Sequence, residues 1–264
     1  MMFWLIYALT GAVVGVLAGL LGIGGGIVIV PLLTFTFVAQ QFPETYILHL
    51  ALGTSLATII VTSISSFRAH HARGSVNWSA VKGLAPGILL GTFMGTWVAA
   101  QLSSKFLSVF FACFLYYVAI QMLLNITPSP SRGLPGKVGM LGVGSGIGGI
   151  SSLVGIGGGT MTVPFLGWCN QPIHTAVGTS AAVGLPIALA GSMGYLINGL
   201  FVADLPSGSL GFIYLPALFG VALVSYFTAP FGVRLAHALP VARLKKIFAV
   251  FLLLMGTRMF LSFF

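Results

Sequence analysis

Acidic side chains are nearly missing from this chain. Its 264 residues hold two, Glu44 and Asp204, against eleven lysines and arginines. Neither acid lies inside a long apolar stretch. That argues against a relay of buried carboxylates of the kind proton pumps use, and against a cation carrier. Charged residues of both signs make up only 5% of the chain and hydrophobic ones 58%. A soluble domain carries roughly 25% charged residues, so a soluble fold is excluded. Cysteine is scarce too: Cys113 and Cys169 lie in or beside apolar segments and imply neither a disulfide framework nor a metal site. The five histidines show no metal-ligand or nucleophile–base spacing; His70 and His71 share one basic loop and His237 lies in another. An enzyme is therefore not expected, and no cofactor or metal is implied. No Lys or Arg precedes Arg68, so the first apolar stretch lacks the positive leader of a secretory signal and reads as retained structure.

What is present is long apolar runs. Several reach 18 residues or more, which points to a polytopic membrane protein. The runs are continuous rather than alternating, so they read as helices and not as barrel strands. The net charge of +9 does not point to nucleic acid. The basic residues sit in short loops beside apolar segments, where they orient a chain in the bilayer.

One stretch occurs twice. Gly22-Ile-Gly-Gly-Gly26 runs on to Pro31, and Gly155-Ile-Gly-Gly-Gly159 runs on to Pro164, with a constant offset of 133. A glycine cluster interrupts a helix and removes every Cβ, which exposes backbone N–H groups to a ligand. A second pair matches at an offset of 125: His49-x-Ala-x-Gly53-Thr54-Ser55 and His174-x-Ala-x-Gly178-Thr179-Ser180. Two co-linear matches indicate an internal duplication. The expected fold class is an all-α polytopic membrane protein of two repeats, 1–124 and 138–264, joined by a linker at 125–137. Each repeat has a glycine-broken helix pair followed by three transmembrane helices. The expected segments are Met2–Leu21 with Ile27–Ala39, Thr45–Phe67, Val81–Ala100 and Phe106–Leu124. The second repeat gives Val138–Val154 with Thr160–Cys169, His174–Ile197, Gly211–Leu235 and Leu244–Phe264.

Charge decides the relation of the repeats. If each broken pair crosses once, the basic residues divide evenly between the two faces. If each broken pair enters and returns, one face collects Arg68, Arg73, Lys82, Arg132, Lys137, Arg234, Arg243, Lys245 and Lys246. The other keeps Lys105, Arg258 and both acids. The positive-inside rule favours the second arrangement, with inverted repeats and both termini outside.

Paired broken helices in the two halves of a membrane protein point to a substrate site. The candidate substrate-binding residues are Gly24, Gly25 and Gly26 with Gly157, Gly158 and Gly159, where half-helix N–H groups favour an anion. The triplets Gly53, Thr54, Ser55 and Gly178, Thr179, Ser180 would add hydroxyl donors. His49 and His174 are candidate proton or anion contacts, though a histidine near a segment start is more often structural. The tract Gly144-Ser-Gly-Ile-Gly-Gly149 fits a dinucleotide fingerprint by spacing. It lies in an apolar helix with no acid about 20 residues on, so it reads as helix packing.

The doubled G-x-G-G-G-x-x-x-V-P with A-x-G-T-S resembles the TauE/SafE sulfite exporter family, also called the toluene sulfonate uptake permease family. Gly74-Ser-Val-Asn-Trp78 and Ala229-Pro-Phe-Gly-Val-Arg-Leu-Ala236 add to the likeness, which covers essentially the whole chain. The resemblance implies a multi-pass carrier in a bacterial-type inner membrane. Its cargo would be a small sulfur-containing anion: sulfite, a sulfonate, sulfoacetate or thiosulfate. It places the site at the two breaks and the two triplets. The expected function is a secondary transporter of such an anion, exporting it. A passive small-anion channel and a sulfonate uptake permease are the alternatives. The expected partners are the anion and the lipid bilayer, with a homodimer left open and no nucleic acid.

Overall fold

The computed structural model describes residues 2–21, 25–124, 131–238 and 241–261. Within them the chain is almost wholly helical. The elements are α1 (Met2–Leu21), α2 (Gly26–Ala39), α3 (Ile47–Ala72), α4 (Trp78–Gln101), α5 (Ser104–Leu123), α6 (Lys137–Val154), α7 (Gly159–Trp168), α8 (Ile173–Gly199), α9 (Leu215–Ala238) and α10 (Val241–Leu261). Five of them, α3, α4, α5, α6 and α8, are long and apolar enough to cross a membrane. At 1.5 Å per residue, α2 reaches roughly 21 Å and α7 roughly 15 Å, well short of a hydrocarbon core of roughly 30 Å. This is a polytopic helical membrane protein. Many large apolar side chains on α4 and α9 are exposed, among them Leu90, Met94, Trp97, Phe219, Leu223 and Phe227. In a membrane protein such faces meet lipid.

Local chemistry starts and stops the helices. Asn77 caps α4 by accepting from Ala80 N at 3.1 Å, and Ser103 caps α5 by accepting from Phe106 N at 3.2 Å. The short helices begin differently. Gly25 precedes α2 at φ 77° and Gly158 precedes α7 at φ 75°. That left-handed backbone costs an L side chain roughly 1–2 kcal/mol, so glycine is selected at both starts.

Each short helix turns back along the long helix before it. Gln40, just past α2, hydrogen-bonds Tyr7 near the start of α1. In the second half Ser131 N donates to Trp168 O at the end of α7, and the Arg132 guanidinium stacks 4.3 Å from the Trp168 ring. So α1–α2 and α6–α7 are helical hairpins, the first closed between its own outer ends and the second between the end of α7 and the segment that leads into α6.

The two halves interlock by exchange. The first helix of each half packs on the fourth helix of the other: α1 on α9 and α6 on α4. Glycines make these contacts close. Tyr7 meets Gly220, Gly11 meets Val221, and Gly15 meets Ser225, so α1 and α9 run parallel. Gly83 meets Met140, Gly87 meets Leu141, and Gly95 meets Gly149 and Ser152, so α4 and α6 also run parallel. The tract from Gly144 to Gly149 lies in this contact: Gly144 and Gly148 sit against the backbone of Leu84 and Ile88. In the centre, α3 lies against α8. Gly53 meets Tyr195, Leu56 meets Gly191, and Ser63 meets Gly184, so these two equivalent helices run antiparallel. Of the five candidate spans these two are the most buried, and they form the core around Leu52, Leu56, Ile59, Val183 and Ile187.

Two expectations need correction. The segment expected from Gly211 starts as a helix only at Leu215. Before it lies a two-residue β-hairpin, Ser209–Leu210 with Ile213–Tyr214, antiparallel with Ser209 opposite Tyr214. Gly208 at φ 90° and Gly211 at φ 54° supply its turns, which apolar periodicity does not register. The segment expected to end at Phe67 runs on to Ala72, because His70 and His71 complete the last turn instead of lying in a loop.

Candidate functional site

The two glycine breaks meet. Gly22 to Gly24 lie outside the described residues, so Gly24 cannot be placed, but Gly25 and Gly26 can. A Cβ on Gly26 would strike the carbonyl oxygen of Gly155 and come within 2.9 Å of the Ile156 Cα. The start of α2 is therefore in backbone contact with the break between α6 and α7, across the interface of the two halves. The second break is wedged between α3 and α8. Gly155 abuts Leu52 of α3, and the Gly157 oxygen faces Gly184 of α8 opposite Ser63 of α3. Gly158 packs against Ile187, with the Ser151 Oγ 3.6 Å from where its Cβ would stand.

Both short helices present N–H groups toward these breaks. The α2 ladder opens with Val28 N and Ile29 N on Gly25 O, at 3.0 Å each. The α7 ladder opens with Met161 N and Thr162 N on Gly158 O, at 3.1 and 2.8 Å. Gly26 and Ile27, and likewise Gly159 and Thr160, stand ahead of the ladder, where an α-helix offers their N–H groups no acceptor. Aligned helix dipoles make such ends favourable for an anion.

The triplets bridge the halves. Gly53 lets the Phe212 carbonyl approach, and Thr54 Oγ1 accepts from Tyr214 N at 2.9 Å. Ser55 Oγ donates to Gly155 O at 2.8 Å. The second copy repeats the first two contacts: Gly178 lets Ser75 O approach, and Thr179 Oγ1 accepts from Asn77 N at 2.9 Å. Each triplet thus anchors the lead-in to the fourth helix of the opposite half. Ser180 Oγ has no hydrogen-bond partner among the described residues. A threonine hydroxyl that accepts from a backbone N–H keeps its own proton for a second partner.

This geometry sets an expected result. Thr54→Val and Thr179→Val keep the shape but strand the Tyr214 and Asn77 N–H groups. Each should cost about 1–3 kcal/mol of stability, seen as a lower melting temperature in detergent. Thr→Ser at the same positions should recover most of it. Equal melting of the valine variants and the parent would show that water satisfies those N–H groups.

The two histidines part company. His49 is buried at the start of α3, with Nε2 3.0 Å from Ala99 O and Nδ1 3.4 Å from Ser104 Oγ, and Ser104 Oγ donates to Thr45 O. It ties three helix ends together. His174 is exposed at the start of α8. Sequence reasoning did not single out Ser151, Thr160 or Thr162 beside the second break. The signal available was their departure from the repeat: the matching first-half positions are Ala18, Ile27 and Ile29.

Relatives bear on the whole chain. The Sulfite exporter TauE/SafE family profile matches residues 7–259. A Haemophilus influenzae protein named "Probable membrane transporter protein" is 40% identical over 262 residues, covering 98% of this chain and 99% of that one. A protein of the same description from Methanocaldococcus jannaschii is 28% identical, over 96% of this chain and 94% of its own length. One from Bacillus subtilis is 26% identical, over 98% and 97%. No solved structure matches. With the fold and the extent of the match in agreement, the chain belongs to the TauE/SafE sulfite exporter family and is a multi-pass membrane transporter.

Proposed function

We propose that the protein is a secondary transporter that exports a small sulfur-containing anion from the cell across the inner membrane, built from inverted repeats with the site at the two meeting glycine breaks. The observation that carries this reading is the backbone contact of Gly26 with Gly155 and Ile156. It brings the start of α2 against the break that α7 follows, which supports a reading in which N–H groups from both half-helix starts converge on one anion. The site comprises Gly24 to Gly26, Gly157 to Gly159 and the two triplets, in which Thr54, Thr179 and Ser180 have a hydroxyl proton to offer while Ser55 already donates to Gly155 O. The antiparallel run of α3 and α8 supports inversion, because equivalent helices of repeats related by an axis in the membrane plane point opposite ways.

The energetics suit release rather than storage. Each charge-assisted hydrogen bond contributes roughly 1.5–3 kcal/mol. Several offset only part of an anion's desolvation, so binding is weak. The direction follows from the membrane potential: a monovalent anion leaving a negative interior gains roughly 2.3 kcal/mol per 100 mV. Export then needs no intramembrane carboxylate, and neither acid lies in a helix.

The test is flux in liposomes. Sulfite, sulfoacetate and thiosulfate should be offered to the purified protein under an imposed potential. Saturable flux of at least one, accelerated toward the positive side, is expected. Flux indifferent to the potential and strictly dependent on sodium would refute the export mechanism. Non-saturable flux without exchange would make the protein a channel.

A further inference from the structure

Six buried side-chain oxygens lack a hydrogen-bond partner among the described residues: those of Thr92, Ser151, Thr160, Thr162, Ser180 and Ser209. Two of them flank one glycine. Ser151 lies one turn before the second break, and Thr162 lies in the first turn of α7 on the face of Gly158, four residues back; Thr160, two residues from Thr162, lies on the opposite face. Ser151 and Thr162 are 0% exposed and Thr160 is 9% exposed. A buried hydroxyl without a partner costs the protein its desolvation, and native proteins hold only a few such groups per hundred residues. Two that flank one glycine from the two arms of a break call for a common cause.

A helix threonine ordinarily donates to the carbonyl four residues back. For Thr162 that carbonyl is Gly158 O, which already accepts from Met161 N and Thr162 N. Ser151 Oγ points at Gly158. So hydroxyls from both arms of the hairpin flank the glycine that opens α7. The first hairpin offers nothing comparable. Its equivalents are Ala18, Ile27 and Ile29, and the run from Ile27 to Val30 is buried and apolar.

We infer that, of the two hairpins, only one gives the anion side-chain donors. The α6–α7 hairpin supplies the hydroxyls of Ser151 and Thr162 together with the N–H groups of Gly159 and Thr160. The α1–α2 hairpin closes the site as an apolar wall and contributes backbone at Gly26. This rests on the transport reading above and deepens it, because the duplication alone assigns both breaks equal parts. The ligand class is a compact sulfur oxyanion, whose several acceptor oxygens can take hydroxyl donors from one hairpin and backbone N–H groups from both.

Two readouts separate this from a packing role. Ser151→Ala and Thr162→Val are made singly in the full-length protein. Removing a hydroxyl that has no partner should leave the ligand-free melting temperature unchanged or raise it. The same variants should weaken binding of sulfite roughly 5- to 150-fold each. Thr92→Val, which removes an unpartnered hydroxyl in the α4–α6 contact away from the breaks, serves as the control and should leave affinity within about twofold. If the parent binds sulfite and both hydroxyl variants bind it equally well, the one-sided set of side-chain donors is wrong while the transport reading stands. If the parent binds neither sulfite, sulfoacetate nor thiosulfate, both fall together. A variant that loses affinity only in step with a falling melting temperature also overturns the inference, since its hydroxyl then has a structural partner.

Discussion

Gly26→Ala is expected to lower the melting temperature and abolish anion flux, although it places a better helix former at the start of a helix. The sign is the point. In an ordinary helix interior, alanine is favoured over glycine by roughly 0.5–1 kcal/mol. Gly26 has ordinary helical backbone, so no left-handed strain enters; of the two glycines at this start only Gly25, at φ 77°, carries that. What the added methyl meets is Gly155 O, the Ile156 Cα at 2.9 Å and the Ile59 Cδ1 at 2.8 Å. The isoleucine tip can rotate away, but two backbone atoms of the opposite half cannot. Relief requires the breaks to move apart, and overpacking of this kind costs about 1–3 kcal/mol. The separation would also spread the half-helix starts that the transport proposal brings onto one anion. Flux in liposomes and melting in detergent are read on the same preparation. A stabilised, fully active Gly26→Ala protein would show that the contact between the breaks is incidental to function.

The architecture was largely legible in the sequence because its signals are local and strong. Apolar runs and the near absence of charge specify membrane helices. The repeated glycine clusters mark where both hairpins turn; which of the glycines are left-handed, Gly25, Gly155 and Gly158, shows only in the structure. The site was legible in outline only. Spacing within a motif says which residues recur, not what they touch. Thr54 finds its partner 160 residues away and Thr179 finds its own 102 residues away, each in the other half of the chain. The triplet is therefore a latch between repeats as well as a source of hydroxyls. Equal motifs also hid unequal surroundings. His49 is sealed by Ala99 and Ser104, while His174 stands exposed at the opposite end of the core. The hydroxyls at Ser151, Thr160 and Thr162 were invisible to a search for what repeats, because they lie where the repeats differ. The β-hairpin before α9 escaped because its strands have two residues each, too few for any period to show.

Single cysteines at Ala72 and Ser207 are expected to label from opposite sides of the membrane. Both positions are exposed, Ala72 at the end of α3 and Ser207 between α8 and the β-hairpin. The native cysteines would first be removed; Cys169 is buried, and Cys113 is exposed on α5. The argument follows the helix directions. The start of α3 touches the lead-in to α9 through Thr54 and Tyr214, while the start of α8 touches the lead-in to α4 through Thr179 and Asn77. Because α3 and α8 run antiparallel, these two contacts lie at opposite ends of the bundle. Ala72 belongs to the end with Arg68, Arg73, Lys82, Arg132 and Lys137, all exposed. Ser207 belongs to the end with Glu44, Asp204 and Lys105, where α5 begins. Retention of lysine and arginine on the cytoplasmic side then puts Ala72 inside and Ser207 outside. An impermeant thiol reagent added to intact cells should modify Ser207→Cys completely and Ala72→Cys only after the membrane is opened. Labelling of both in intact cells would mean that the two contacts share one side, and the inverted arrangement of the repeats would have to be given up.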